Sequence, residues 1–109
     1  MLNIPETGKT VTIKKEGKNP DFYLDEECEL TVRTKRDGDV FYPTKMTGKK
    51  KLSDFFTDKK LTEKEREETP LILLGKEIVA VGNLRFSRNF QDTSKVGYKI
   101  KIEEMRNAE

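Results

Sequence analysis

Histidine is absent from this chain, and with it the commonest general base and the commonest metal ligand. The other residues with reactive chemistry are few. Cys28 is the one cysteine, and it stands between Glu27 and Glu29. Neighbouring carboxylates raise a thiol pKa, so Cys28 reads as a small core or surface residue and not as a nucleophile. Gly8-Lys9-Thr10 has the ending of a phosphate-binding loop. The full motif needs a glycine five positions before Gly8, where Asn3 stands, and a strand ahead of it, for which only two residues remain. Asp37 and Asp39 flank Gly38 between Arg36 and Val40, which is turn chemistry before it is a magnesium pair. Asp54 and Asp58 lie at i and i+4 of a possible helix, but lysines surround them, and solvated ion pairing is the simpler reading.

What remains is a cationic pattern. The stretch Gly48-Lys-Lys-Lys-Leu-Ser-Asp-Phe-Phe-Thr-Asp-Lys-Lys60 holds three lysines, then Leu52, Phe55 and Phe56, then two lysines. The apolar residues fall at i, i+3 and i+4, one face of a short helix. Stacking on bases is open to the two phenylalanines, but that spacing assigns them to a core. Lys49, Lys50, Lys51, Lys59 and Lys60 flank the helix. A helix dipole prefers acids at its N-terminus, so lysines there point to a partner phosphate or to a plain solvated face.

Charge is unevenly placed along the chain. Glu16 to Glu29 has six acids and one lysine, Arg33 to Lys60 has nine bases and four acids, and Gly82 to Ile102 has five bases and one acid. The formal net charge of +2 therefore hides two basic segments and an acidic one. Brought onto one face, the basic segments would make an anion-binding side; intermixed, they would not.

The elements that must position these groups follow from periodicity. Lys9 to Ile13 alternates as a strand, and Lys14 to Pro20 reads as a loop. Phe22-Tyr23-Leu24 is a short strand candidate within an acidic stretch. Leu30 to Lys35 alternates, with Leu30, Val32 and Thr34 on one face and Thr31, Arg33 and Lys35 on the other. Arg36 to Asp39 is a turn, and Thr62-Glu63-Lys64-Glu65 is a capping box that starts a second short helix. That helix ends near Thr69, because Pro70 disfavours helix in the residue before it. Leu71 to Leu74, Gly75-Lys76 and Glu77 to Val81 form a hairpin of buried strands, followed by a turn at Gly82-Asn83. A short strand over Leu84 to Ser87, a polar loop over Asn89 to Lys95, a last strand through Tyr98, Ile100 and Ile102, and a frayed tail over Met105 to Glu109 complete the chain. The expected core of the basic half is Leu52, Phe55, Phe56, Leu71, Leu73, Ile78 and Val81. Strands, two short helices and more strands make an α+β class, a small single domain.

The 109 residues suit one domain. At 39% charged the chain is very polar, but about a quarter of it is Leu, Ile, Val or Phe. That exceeds the roughly 20% below which disorder becomes the default. There is no internal repeat, no apolar run of transmembrane length and no signal-peptide pattern at the start. A soluble, cytoplasmic protein is the expectation, and one cysteine with no disulfide framework fits a reducing compartment.

The ordered set Leu30-Thr-Val-Arg-Thr-Lys-Arg-Asp-Gly-Asp39, the lysine-rich helix, Arg66, Thr69-Pro70-Leu71, Ile78 to Gly82 and Arg85-Phe86-Ser87 resembles the C-terminal domain of tRNA(Ile)-lysidine synthetase. The resemblance runs from about Leu30 to Ser87, with the strand to Ile102 also fitting. It divides the chain into a poorly matched strand region at 1–29, a tRNA-recognition region at 30–102 and a tail at 103–109. It implies an α+β domain with a β-sandwich-like core, related to a domain of the phenylalanyl-tRNA synthetase β subunit. The full enzyme of that family uses ATP, with magnesium, to join lysine to the first anticodon cytidine of an isoleucine tRNA. Its ATP-pyrophosphatase loop, of the Ser-Gly-Gly-x-Asp-Ser type, has no counterpart here. The resemblance therefore implies a non-catalytic part that takes no cofactor itself and contacts the tRNA acceptor stem, beside a separate catalytic domain as partner. Departures from the family pattern stand at Val40, where a further basic residue is usual, at Leu61-Thr62, where Ile-Pro is usual, and at Ala80, where an aromatic is common.

The candidates for phosphate and acceptor-end contacts are Arg33, Arg36, Lys49, Lys50, Lys51, Lys59, Lys60, Arg66 and Arg85. Beside that role, Arg66 has the alternative of pairing with its Glu65 and Glu67 neighbours, and Arg85 that of a structural carboxylate partner. The competing class is a docking module that packs against its own enzyme or another subunit.

Overall fold

Two apolar runs joined by Gly75-Lys76 build the middle of the structure. The computed structural model describes residues 2–4, 9–25 and 29–104. Gly8, Cys28 and the frayed tail expected over Met105 to Glu109 lie outside the described residues. In chain order the strands are β1 (Leu2–Ile4), β2 (Lys9–Lys15), β3 (Phe22–Leu24), β4 (Leu30–Arg33), β5 (Val40–Phe41), β6 (Lys50–Lys51), β7 (Leu71–Leu74), β8 (Glu77–Val81), β9 (Arg85–Phe86) and β10 (Val96–Glu104). The helices are α1 (Leu52–Asp58) and α2 (Glu63–Glu68), with a 3-10 turn at Arg88–Phe90.

One four-stranded sheet has the order β4-β7-β8-β9, and a second has the order β1-β2-β10-β3. All their pairings are antiparallel. A two-stranded ribbon joins β5 and β6. The β7–β8 pair is buried on both faces, which is why its residues form continuous apolar runs and do not alternate. The pairing shifts register at Ile72/Leu73: Ile72 faces Ala80 and Leu73 faces Ile78, so Val79 is the extra residue of a bulge. The bulge sends Ile78 and Val81 to one side and Val79 and Ala80 to the other.

On the first side lie Phe41, Leu52, Phe55, Phe56, Leu71, Leu73, Ile78 and Val81. All seven residues expected in that core are there, joined by Phe41. On the second side, Ile72, Val79 and Ala80 meet Val11, Phe22, Leu24 and Ile100 of the other sheet. The result is three layers: α1 with the β5–β6 ribbon, the β4-β7-β8-β9 sheet, and the β1-β2-β10-β3 sheet. The α+β class and the sandwich of two sheets agree with expectation.

Boundaries differ where long-range pairing extends a strand. Lys14 and Lys15, expected in a loop, continue β2 because they pair with Lys99 and Tyr98 of β10. Lys9 and Thr10 lie in a strand, whereas a phosphate loop would place such residues at the start of a helix. The two-residue strands β5 and β6 are too short to show any periodicity in sequence. Among the described residues no helix is long and apolar enough to cross a membrane.

Candidate nucleic-acid interface

The site is organised around Asp39. Arg33, at the end of β4, grips its carboxylate through Nη1 to Oδ2 at 3.0 Å and Nη2 to Oδ1 at 2.9 Å. The Arg36 N–H donates to Oδ2 at 2.8 Å, and Gly38 turns the chain with a φ of 85°. The Asp39 carbonyl then accepts the N–H of Leu52 at 2.9 Å, the first residue of α1. One residue thus ties strand, turn and helix together. Burial pushes the Asp39 carboxyl upward, but the Arg33 hydrogen bond, the Arg36 amide and the charges of both arginines outweigh it and hold it below its ordinary value of 3.8.

Beside this turn is a cleft of about 630 Å³ between the turn, the start of α1 and the start of α2. Lys35, Arg36, Lys51 and Arg66 bring cations to its walls, and Asp37 and Glu63 bring acids. Lys51 is the N-cap of α1 and offers no side-chain capping bond. Arg66 donates from Nε to the Leu61 carbonyl at 3.1 Å and from Nη2 to Thr57 Oγ1 at 3.4 Å. It thereby fastens the link between the helices. The capping box expected at Thr62 is complete: its hydroxyl accepts from Glu65 N–H at 3.1 Å, and the Glu65 carboxylate accepts from Thr62 N–H at 2.8 Å.

The other end of α1 closes in a Schellman arrangement. Lys60 N–H donates to the Thr57 carbonyl and Leu61 N–H to the Phe56 carbonyl, while Leu61 packs on the core. The C′ position of such a motif favours glycine, yet Lys60 occupies it with a φ of 58°. Lys59 Nζ lies 5.8 Å from the centroid of the Phe55 ring, and the Arg85 guanidinium lies 5.9 Å from the same ring. Phe55 and Phe56 are 3% and 0% exposed, so they are core and not a stacking platform.

The nine candidate cations therefore fall into two groups. Arg33, Lys50, Arg66 and Arg85 each have an internal partner. Lys50 pairs with Asp58, and Arg85 donates to the Thr44 carbonyl at 3.1 Å, so its structural partners are a carbonyl and a ring face and not the carboxylate of the alternative reading. Arg36, Lys49, Lys51, Lys59 and Lys60 are exposed and make no ion pair among the described residues. Two cations outside the candidate set extend the groups: Lys35, exposed in the cleft, joins the free ones, and Arg88, which lies over the Tyr42 ring and donates to the Met46 and Gly48 carbonyls, joins those with internal partners. Lys35 was legible as the next member of the Thr31, Arg33, Lys35 alternation, although β4 stops at Arg33 and leaves it in the turn region; Arg88 had no local signal, because its partners are some forty residues earlier. Among the described residues there is no group of three or more Cys, Asp or Glu placed to hold a metal ion.

A small α+β domain that presents unpaired cations on a fixed strand–turn–helix unit is the class that fold and site define. The chain belongs to the family described as the TilS substrate C-terminal domain, whose profile matches residues 30–102. It is similar to the tRNA(Ile)-lysidine synthase of Caldanaerobacter subterraneus subsp. tengcongensis, 46% identical over 71 residues that cover 62% of this chain and 15% of that protein. It is also similar to the enzyme of the same name from Clostridium acetobutylicum, 35% identical over 97 residues, 84% of this chain and 21% of that protein. The chain thus spans about a fifth or less of the relatives it matches. Among solved structures, a crystal structure of the TILS C-terminal domain superposes with a TM-score of 0.70 at 21% identity, covering 93% of this chain and 88% of that one. That likeness is one of fold.

Proposed function

We propose that this chain is the substrate-recognition part of a tRNA(Ile)-lysidine synthase. It binds the acceptor stem of isoleucine tRNA, and a separate catalytic domain attaches lysine to the first anticodon cytidine using ATP. The observation that carries this reading is the set of unpaired cations at both ends of α1, Arg36 and Lys51 at one end and Lys59 and Lys60 at the other. A seven-residue helix is about 10 Å long, over which a duplex strand passes roughly three phosphates. In this reading Arg36, Lys49, Lys51, Lys59 and Lys60 meet phosphates, and Arg33, Lys50, Arg66 and Arg85 hold the elements that carry them. Phosphate contacts of this kind set register and orientation; any choice among RNAs comes from base contacts or helix shape. Lys60 supports the reading independently. Its φ of 58° is one that glycine adopts at lower cost, so local stability does not account for a lysine there.

The test is a titration of this chain with isoleucine tRNA and with an acceptor-stem minihelix. Comparable binding to both is expected, and Lys51→Glu with Lys59→Glu should abolish it while circular dichroism stays unchanged. A folded chain that binds neither RNA sinks the reading and leaves docking to the rest of the enzyme as the better account. Binding that ignores salt points the same way, because a packed protein interface lacks the steep salt dependence of phosphate contacts.

A further inference from the structure

The basic half contains a second built feature that the cleft does not use. Between Val40 and Ser53 the sequence has four lysines and no acid. Within it, Lys45 to Lys49 are five consecutive exposed residues. This loop is gripped from beneath by two arginines. Arg85 Nη1 donates to the Thr44 carbonyl at 3.1 Å. Arg88 Nη1 donates to the Gly48 carbonyl at 2.8 Å and to the Met46 carbonyl at 3.2 Å. The Arg88 guanidinium lies 5.2 Å from the centroid of the Tyr42 ring, and the Arg88 backbone N–H donates to the Tyr42 carbonyl at 2.8 Å. Thr44 N–H donates to the Phe86 carbonyl, and Pro43 bridges to Ser87. Every anchor points inward, so the loop's own side chains are left facing out. Lys45 holds a φ of 65°, a conformation that residues with side chains rarely adopt. Met46, 40% exposed, stands beside it.

We infer that loop 44–49 is a second RNA-contact element, in which Lys45 and Lys49 meet backbone phosphates and Met46 packs on a sugar or base edge between them. Arg88 is its positioning residue. The inference rests on the proposed RNA-binding function and extends it to a surface outside the cleft. Three observations favour RNA as the occupant. From Val40 to Ser53 the sequence has no acid, so Lys45 and Lys49 have no carboxylate beside them in the loop itself. An exposed thioether adapts to irregular apolar surface without demanding a base sequence. A loop fixed before binding loses little freedom on binding, which accounts for two arginines being turned inward. Arginine suits the positioning role because its planar fork stacks on Tyr42 while it bridges two carbonyls; an ammonium does not do both.

A double-mutant cycle on this chain, with an isoleucine tRNA transcript as the probe, tests this. Lys45→Ala with Lys49→Ala should weaken binding about 5- to 20-fold and flatten the slope of log affinity against log salt by up to about 0.7–0.9 per lost phosphate contact. Arg88→Lys keeps the charge and loses the bridge. It should weaken binding by a similar factor, and the triple variant should bind within about twofold of the weaker parent, because all three changes remove one contact. Binding is measured well below the thermal midpoint of each variant. If Arg88→Lys binds like the parent chain, if the effects multiply, or if the lysine pair has no effect, the inference is overturned, and with a silent lysine pair the proposed function loses Lys49 and stands on Arg36, Lys51, Lys59 and Lys60. If the unmodified chain binds no RNA, both fall together.

Discussion

At Lys60 local stability and surface charge are set against each other. A left-handed backbone costs an ordinary residue about 1–2 kcal/mol, and glycine gives back part of that through its greater freedom in the unfolded chain. Lys60→Gly should therefore raise the unfolding free energy by about 0.5–1 kcal/mol in urea while weakening tRNA binding. Gain on one axis with loss on the other is the expected signature; loss of stability would show that the lysine packs productively. Asp39 is the opposite case, a residue whose contacts are all internal. Its side chain is 12% exposed and that of Arg33 is 19% exposed. Asp39→Asn breaks the bidentate pair and should cost about 1–3 kcal/mol in denaturant unfolding. The pH dependence has a definite sign. The folded carboxyl is depressed below its ordinary 3.8, so its contribution is complete above that value. As pH falls the unfolded chain takes up the proton first, and the contribution disappears as pH drops through the folded value. Asp39→Asn should flatten the acid limb of the stability curve, measured from about pH 5 downward.

At the scale of elements, two local devices can be tested by thermal unfolding. The capping box of α2 predicts that Thr62→Ala costs about 1 kcal/mol. Gly97 in β10 is required for a different reason. A Cβ there would lie 2.7 Å from the Glu16 carbonyl and 2.7 Å from Pro20 Cγ, where the loop after β2 crosses the strand. Gly97→Ala should cost at least about 1–3 kcal/mol, because backbone and a proline ring have little room to yield. A change of less than a few tenths would mean that the 16–20 loop moves freely. The first device is visible in four consecutive residues. The second is not, because Glu16 and Pro20 are some eighty positions away from the strand they touch. The same distinction separates α1, legible from Leu52, Phe55 and Phe56, from the β5–β6 ribbon that presents Lys50 and Lys51, whose register depends on the turn at Asp39.

For the whole molecule the decisive property is where charge remains uncompensated. Five of the nine candidate cations make no ion pair among the described residues; four lie on the strand–turn–helix unit held against the central sheet, and Lys49 ends the loop that leads into it. If these five meet phosphates, log affinity for tRNA should fall with log salt at a slope of about −3.5 to −4.5. Titrations at several salt concentrations check this, and a slope near zero would move the partner from RNA to protein. The first sheet holds the basic unit on one face. Its other face packs on the β1-β2-β10-β3 sheet, whose strands come from both ends of the described chain.

The sequence by itself determined the α+β class, the buried face of α1, the capped start of α2, the β7–β8 hairpin and the turn at Gly38. Each of these depends on residues within a few positions of one another, where propensity and periodicity act. It also located the cations, and the ordered pattern around them pointed to the family. Only the tertiary structure decided which cations are free. Lys50 is neutralised by Asp58 eight positions on, while Arg85 is held by a carbonyl 41 positions back and Arg88 by carbonyls 40 and 42 positions back, each keeping its charge. Such partners are chosen by the folding of distant segments onto one another. For that reason a run of lysines and arginines in sequence becomes a division between side chains that hold the fold and side chains that face outward.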